Sequence, residues 1–296
     1  MSKPILAVIA VYTIVGVWNS WFNAMVYLPH TTWQPLQLYL RRVLVENTAD
    51  LTRTLSADEA LEKAITPKTK ALILPYPNNP TGGILGRSEL EKLREVILRH
   101  DLIVISDEIY AELTYNGQGH VSIASLPDMK ERTIYLNGFS KAFAMTGWRM
   151  GYLCAPAGFT DVMCKIHQYA IMCAPRQGQV AALEALRRAR EDGCRDVIEM
   201  RQSYDRRRRL MVQAFRDMGL SCFEPLGAFY VFPGIQKTGL TSEEFCTRLL
   251  KEEKVVCVPG TAFGQSGEGH IRCCYATALS QLNEALERMK RFLDRL

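Results

Sequence analysis

The sequence lacks the cysteine and histidine spacings that hold metal ions. Its nine cysteines include no CxxC pair, and its five histidines are too far apart along the chain for an HExxH-type site. We therefore expect no bound metal. Scattered cysteines of this kind are typical of reduced thiols in a cytoplasmic protein and not of a small secreted domain that is stabilised by disulfides.

Dense charge, internal repeats and low-complexity linkers are also missing. The net charge is +5, and the one dense basic run is Arg206 to Arg209. This run lies in a segment with helical periodicity and has no interleaved aromatic residues, so we interpret it as a solvated helix face and expect no nucleic-acid partner. With 296 residues, 48% of them hydrophobic, the chain can bury a large core and form one or two domains.

Charge is absent from Pro4 to Leu28, a run long enough for a helix to cross a bilayer. Asn19, Ser20 and Asn23 interrupt the run, and β-branched residues are frequent in it. We favour a packed core segment over a membrane anchor. A signal peptide is disfavoured because only Lys3 supplies charge before an overlong apolar run. A third possibility is that this stretch is not the native reading frame of the gene.

From about residue 44 the pattern alternates between strands and helices. Apolar runs predict buried strands at 71–74, 102–105 and 133–136. Amphipathic patterns predict helices at 56–65 and 88–99. Strands that alternate with helices are typical of parallel βαβ units, so we expect an α/β fold.

The C-terminal half mixes helices and short strands. Helices are predicted at 177–190, 195–218, 242–253 and 279–296, and strands at 228–232, 255–258 and 271–274. Such a mixture fits a compact α+β domain. We expect three regions: an atypical apolar N-terminal segment over 1–43, a large domain over 44–200 and a small C-terminal domain over 201–296.

Polar residues follow each of the three strands predicted in the first half. In open α/β sheets, ligands bind outside the carboxyl ends of the strands. The polar residues at these ends should therefore meet at one edge of the sheet, and they are Asn79, Asp107, Tyr110 and Lys141.

The segment from Gly138 to Gly151 carries one lysine, Lys141, among small and apolar residues. An apolar environment lowers the pKa of a lysine, and a neutral amine can form a Schiff base with a carbonyl. Arg149 follows, and arginine binds phosphate through two parallel hydrogen bonds. A lone lysine is ordinarily a solvated surface residue, but carbonyl and phosphate on one ligand describe pyridoxal 5'-phosphate (PLP).

Several motifs along the chain resemble those of the class I/II PLP-dependent aminotransferase family, which has the aspartate aminotransferase-like fold type I. The resemblance covers about residues 44 to 296. It rests on the following segments: Asn78-Asn79-Pro80-Thr81-Gly82, Asp107-Glu108-Ile109-Tyr110, the segment around Lys141 and Arg149, Pro259 to Gly264, and Ile271-Arg272-Cys273-Cys274-Tyr275-Ala276.

The resemblance implies a PLP-dependent transferase-like large domain with a mostly parallel sheet, plus a smaller C-terminal α+β domain. It also implies an enzyme that moves an amino group between an amino acid and a 2-oxo acid through a Schiff base on Lys141. In this interpretation Lys141 is also the general base at the substrate α-carbon. The expected cofactor-binding residues are Asn79, Asp107, Tyr110, Lys141 and Arg149.

Each of these residues has an implied partner. Asp107 would contact the pyridine nitrogen, Tyr110 and Asn79 the phenolic oxygen, and Arg149 the phosphate. Arg272, with Asn79, would bind the substrate, since the arginine of this motif grips the α-carboxylate. Taken singly, Asp107 could be a helix cap, Tyr110 a core tyrosine and Asn79 a turn residue.

The chain departs from the family at its N-terminus, which we expect to be atypical or truncated. Family members carry there a Gly/Ser-rich turn for the phosphate and an aromatic residue that stacks on the pyridine ring. We find no such Gly/Ser turn, and Trp33 is too close in sequence to the later motifs to be the stacking aromatic residue. Gly138 also offers no hydroxyl for the phosphate. Two alternatives therefore stay open, namely a weakly active or inactive relative and a PLP-dependent carbon–sulfur β-lyase. A PLP-binding regulator is less favoured. The family also implies a homodimer in the cytoplasm, away from membranes.

Overall fold

The structure, a computed structural model, describes residues 56–115, 117 and 119–296. The uncharged run from Pro4 to Leu28, and with it Trp33, lies outside the described residues, so our interpretation of that run stays a prediction. Over the described part of the chain, no helix is long and apolar enough to span a membrane.

The first half of the described chain forms a four-stranded sheet in the order β1-β2-β3-β4. The strands are β1 Ala71–Pro75, β2 Ile103–Asp107, β3 Thr133–Gly138 and β4 Gly151–Cys154. The first three are parallel, which confirms the predicted α/β class and mostly parallel sheet. β4 is antiparallel to β3 and was not predicted.

Five helices belong to this half: α1 Ala57–Ala64, α2 Arg87–Arg99, α3 Phe139–Ala142, α4 Ala157–Ala170 and α5 Arg176–Asp192. The predicted start of α1 is confirmed, since the Ser56 N–H donates to Glu59 Oε2 at 3.0 Å, as in a capping box. α2 buries Leu90, Leu93 and Ile97 at helical spacing against the sheet. α4 was not predicted. None of its residues is buried, so its sequence has no apolar face that packs on the core.

The second half contains the helices α6 Arg195–Asp217, α7 Ser242–Glu253 and α8 Leu279–Leu293. Its antiparallel sheet has the order β5-β7-β6, with β5 Tyr230–Val231, β6 Val258–Pro259 and β7 Ile271–Cys274. A core centred on Phe215, Phe245, Phe292 and Tyr275 lies between the sheet and the helices.

Two strand predictions in this half were wrong in extent, because β5 and β6 have two residues each. Ala228 has φ +59, which is incompatible with a strand, and its carbonyl accepts hydrogen bonds from the Tyr115 and Tyr275 hydroxyls. Lys254 is also left-handed, with φ +59, and ends α7 just before the predicted β6. The helix predicted to reach residue 296 ends at Leu293.

The two halves meet where the turn after β1 contacts the loop before β5. The Leu226 and Gly227 N–H groups donate to the Gly82 carbonyl at 3.0 and 2.9 Å. A Cβ on Gly227 would lie 2.4 Å from Pro77 Cβ, so only glycine permits this approach. The contact brings Asn79 beside β7.

Candidate active site

Asn79 is held at the carboxyl end of β1 by a tight turn. The Asn78 side chain accepts from the Thr81 hydroxyl at 3.0 Å, and the Gly82 N–H donates to the Asn78 carbonyl at 2.9 Å. The turn therefore has its own hydrogen bonds and leaves the Asn79 side chain free for other contacts. Asn79 Oδ1 accepts from Arg272 Nη1 at 2.9 Å, which links two residues 193 positions apart.

Asp107 is the last residue of β2, paired in register with Pro75 of β1 and Leu136 of β3. Its Oδ1 accepts from the Ile109 N–H at 3.2 Å, and over the described chain its second oxygen has no protein partner. No helix follows β2 directly, so Asp107 is not the helix cap of its alternative interpretation. Its Oδ1 instead holds the turn after β2, and its second oxygen stays free at the edge of the sheet.

Tyr110 follows in the same turn and is buried, with its hydroxyl 3.2 Å from that of Tyr230. Burial, and then the hydrogen bond with Tyr230, raise the pKa of Tyr110 well above its ordinary value. The hydroxyl therefore stays protonated and can act as a hydrogen-bond donor.

Glu108 lies behind Asp107, on the opposite face of the strand end, and is fully buried. Its Oε1 accepts from Ser106 Oγ at 2.8 Å, Ser122 Oγ at 2.8 Å and the Tyr76 hydroxyl at 3.2 Å, and its Oε2 meets His120 Nε2. We call these five side chains the Glu108 network. Because Tyr76 follows β1 and Glu108 follows β2, the network fixes the ends of both strands.

Lys141 lies in the short helix α3, directly after β3. Its Nζ is 5.4 Å from the centre of the Tyr110 ring and 5.2 Å from that of the Phe229 ring. Burial is the largest cause that lowers the Lys141 pKa, and the Arg149 and Arg272 charges lower it further, while the Cys274 sulfur acts in the opposite direction. Within the described residues the amine has no carboxylate partner. The neutral form is therefore favoured relative to an exposed lysine.

Arg272 extends from β7 between two aromatic rings. Its Cζ lies 4.4 Å from the centre of the Tyr230 ring and 4.8 Å from that of the Phe263 ring, within the range of cation–π attraction. At the edge of the guanidinium group, Nη1 donates to Asn79, and within the described residues the buried Nε has no hydrogen-bond partner. An orphaned buried donor is unfavourable, so this N–H is suited to a carboxylate acceptor.

Arg149 stands apart from this cluster, exposed to solvent and left-handed with φ 55. Its Nη1 donates to the Thr146 carbonyl at 3.1 Å. It lines an open groove of about 540 Å³ together with Trp148, Gln177 and Gly178. Its positive charge is one of the causes that lower the Lys141 pKa.

The structure connects four of the predicted site residues directly: Asn79 to Arg272 by a hydrogen bond, and Tyr110 to Lys141 by a ring contact. Tyr230 joins the two pairs, because it contacts both Tyr110 and Arg272. Asp107 ends β2 at the same edge of the sheet, and Arg149 lines a separate open groove.

Sequence reasoning missed four residues that line the cluster, and they are Phe229, Tyr230, Phe263 and Cys274. Tyr230 and Cys274 are register partners on β5 and β7. The aromatic run in β5 was visible in the sequence, but nothing in it showed which strand it would pair with.

Comparison with known proteins identifies the family. The family model described as "Aminotransferase class I and II" matches residues 43–289. The chain is 53% identical over 253 residues to the putative aminotransferase YugH of Bacillus subtilis. The aligned region covers 86% of this chain and 64% of that protein. The chain is also 50% identical over 239 residues to aromatic-amino-acid aminotransferase 2 of Thermococcus litoralis, covering 81% of this chain and 61% of that protein.

A solved structure has the same fold. The aromatic aminotransferase from Pyrococcus horikoshii OT3 superposes with a TM-score of 0.77 at 48% identity, over 80% of this chain and 63% of that chain. The chain thus spans about three fifths of the length of these relatives. By its sequence and its fold, the chain belongs to the class I and II aminotransferase family.

Proposed function

We propose that this chain catalyses PLP-dependent transfer of an amino group between an amino acid and a 2-oxo acid, with Lys141 as the catalytic amine. The observation that carries the proposal is the position of Lys141. Its half-buried amine has a lowered pKa and lies against Tyr110, in the same cluster as Arg272.

The residues present fit PLP, the cofactor of the class I and II aminotransferases of this fold. Lys141 offers an amine without an ion pair within the described chain, and Asp107 an oxygen without a protein partner. Tyr110 supplies a protonated hydroxyl. Arg149 keeps guanidinium donors beyond the one that it gives to Thr146. We assign Lys141 to the aldehyde, Asp107 to the pyridine nitrogen, Tyr110 and Asn79 to the phenolic oxygen, and Arg149 to the phosphate.

When bound, PLP supplies an aldehyde for amines and a ring that withdraws electrons from the substrate α-carbon. The Asp107 carboxylate would keep the pyridine nitrogen protonated. Arg272 would bind the substrate α-carboxylate through its free Nε and an adjacent N–H, and so orient the Cα–H bond. The Lys141 amine would then remove the α-proton, which requires its neutral form, and its lowered pKa increases that form at a given pH.

The proposal extends to the architecture of the whole protein. We propose a large domain over 44–200 and a small domain over 201–296, supported by two separate sheets, each with its own core. The relatives are named for several amino-group donors, among them aromatic amino acids, aspartate and N-acetyl-LL-diaminopimelate. We also propose a homodimer in the cytoplasm, which the family implies.

The test is reductive labelling. The 296-residue chain is incubated with PLP, reduced with borohydride and digested for peptide mapping. The pyridoxyl group should map to Lys141, and Lys141→Ala should remove both the label and transamination. Lys165→Ala is the matched control, because Lys165 is exposed on α4 and should leave both unchanged. Labelling of another lysine in the unmodified chain would refute the assignment. Correct labelling without transamination would instead support the weakly active alternative.

A further inference from the structure

Two cysteines of the second sheet lie unusually close together. Cys257 Sγ and Cys273 Sγ are 3.4 Å apart, and all nine cysteines are free thiols. Neither residue has a place in the proposed chemistry. We propose that Cys257 and Cys273 are a modification site, at which a low-molecular-weight disulfide oxidises the two thiols to an intramolecular disulfide. This inference does not depend on the proposed function.

The backbone geometry suits this bond. β6 and β7 are antiparallel, with Val258 opposite Arg272 and Pro259 opposite Ile271. Continuing this register by one residue places Cys257 opposite Cys273. The Gly260 N–H donates to the His270 carbonyl at 2.8 Å, so by alternation the cysteines form a non-hydrogen-bonded pair.

The side chains of such a pair are close neighbours. The Cα atoms of a non-hydrogen-bonded pair are about 4.5 Å apart, inside the range of about 4.4–6.8 Å that disulfides span. An S–S bond of about 2.05 Å requires the two sulfurs to approach by about 1.4 Å from their present separation. Rotation of the side chains about their Cα–Cβ bonds can supply that movement without a change of register.

The two thiols differ in access, and this difference sets the order of events. Cys273 is 6% exposed and belongs to the core of the second half, whereas Cys257 is partly exposed. The hydrogen bond with Cys257, and then burial, raise the pKa of the Cys273 thiol well above its ordinary value. Cys257 therefore reacts first with the oxidant, and Cys273 reacts second, from inside.

The chemistry is two successive thiol–disulfide exchanges. The Cys257 thiolate attacks one sulfur of the small disulfide, whose S–S bond breaks, and the first small thiol leaves and takes up a proton. The Cys273 sulfur then loses its proton and attacks the Cys257 sulfur of the mixed disulfide, and the second small thiol leaves. The two cysteines are oxidised by two electrons, and the small disulfide is reduced to two thiols.

The bond would close the loop that carries Phe263 onto the strand that carries Arg272. The loop leaves β6 and returns in β7, and the Phe263 ring lies 4.8 Å from the Arg272 guanidinium carbon. Oxidation of the pair therefore fixes the distance between β6 and β7, the strand that carries Arg272.

The experiment uses the full chain and glutathione disulfide as the probe. After acid quenching and alkylation, the protein is digested without reduction and its peptides are identified by mass. The expected product is one cross-linked peptide pair that joins Cys257 to Cys273, with the loss of two hydrogens. Cys164 is exposed on α4 and serves as an internal control, since it should carry glutathione and show that the oxidant acted.

Two variants test the order. In Cys273→Ala the mixed disulfide between Cys257 and glutathione should accumulate, because the resolving sulfur is gone. Cys246→Ala removes another buried thiol of the same core and should leave the cross-link intact. Glutathione on Cys164 with Cys257 and Cys273 both still alkylated would overturn the proposal, as would a cross-link that joins Cys273 to Cys274. The mapping of the unmodified chain decides this even if a variant fails to fold.

Discussion

The Glu108 network allows a sharp test of what holds the site together, because one buried carboxylate accepts every hydrogen bond at its centre. Replacing Glu108 with leucine keeps the volume similar and removes all four contacts. The Tyr76 hydroxyl would keep the Val121 carbonyl, 3.1 Å away. The Ser106 hydroxyl is fully buried and would lose its acceptor.

The size of the effect follows from these losses. Each buried donor that is left without its acceptor costs about 1–3 kcal/mol, and Glu108 is the shared acceptor of several donors. We therefore expect Glu108→Leu to lower the free energy of unfolding by about 3–5 kcal/mol. Glu108→Gln should cost only about 1 kcal/mol. Its amide oxygen can still accept from the three hydroxyls, and its amide N–H₂ can donate to a His120 tautomer that accepts.

The assay is urea denaturation, with unfolding free energies extrapolated to water. Glu112 lies in the same turn but is exposed, so Glu112→Leu is the matched control and should stay within about 0.5 kcal/mol of the unmodified chain. If Glu108→Leu were no more destabilising than Glu112→Leu, the network would not be what fixes the ends of β1 and β2. Equal losses for the leucine and glutamine variants would mean that the charge, and not the hydrogen-bond count, governs stability.

Two further outcomes follow from single positions. Gly260→Ala should destabilise by about 3 kcal/mol in the same assay, because its Cβ would lie 1.9 Å from the Gly267 carbonyl oxygen. Gly158→Ala in the first turn of α4, where nothing lies within 4 Å, should not destabilise, and equal effects of the two changes would contradict the close approach. Acylation footprinting should show Lys141 reacting at lower pH than a free lysine in solution, since only the neutral amine reacts and the pKa of Lys141 is lowered. Arg272→Gln should move the Lys141 profile to higher pH, because it removes a charge that lowers the lysine pKa. An unchanged Lys141 profile in that variant would show that Arg272 does not act on the amine.

The sequence was sufficient to predict the part of the site that depends on parallel strands. Asn79 and Lys141 each follow a strand, and Asp107 ends one. The carboxyl ends of neighbouring parallel strands must lie at one edge, so periodicity and topology predict that these residues lie near one another. The predicted strand centres were correct, while the ends moved by one or two residues because they are set by hydrogen bonds with neighbouring strands.

The position of Arg272 could not be predicted in the same way. Its contact with Asn79 requires the pairing of β5 with β7 and the close approach of Gly227 to Pro77, and both are tertiary events between distant segments. The predicted extents of β5 and β6 were wrong for the same reason, because a strand with high β-propensity ends where its pairing partner ends. Only the family resemblance predicted that Arg272 belongs to the site. It did not indicate which tertiary contacts bring the arginine to Asn79.

The two arginines of the cluster have two effects that are coupled: they attract anionic ligands, and they lower the pKa of Lys141. Lys141, Arg149 and Arg272 bring three cationic groups near one another, and the two guanidinium charges lower the pKa of the amine. The same positive field favours ligands with negative charge at both ends, as a phosphate and a carboxylate would provide. Binding such anions offsets the guanidinium charges and so raises the pKa of Lys141 again. Anion binding and the proton affinity of the amine are therefore coupled, and a substitution that removes either arginine should change both.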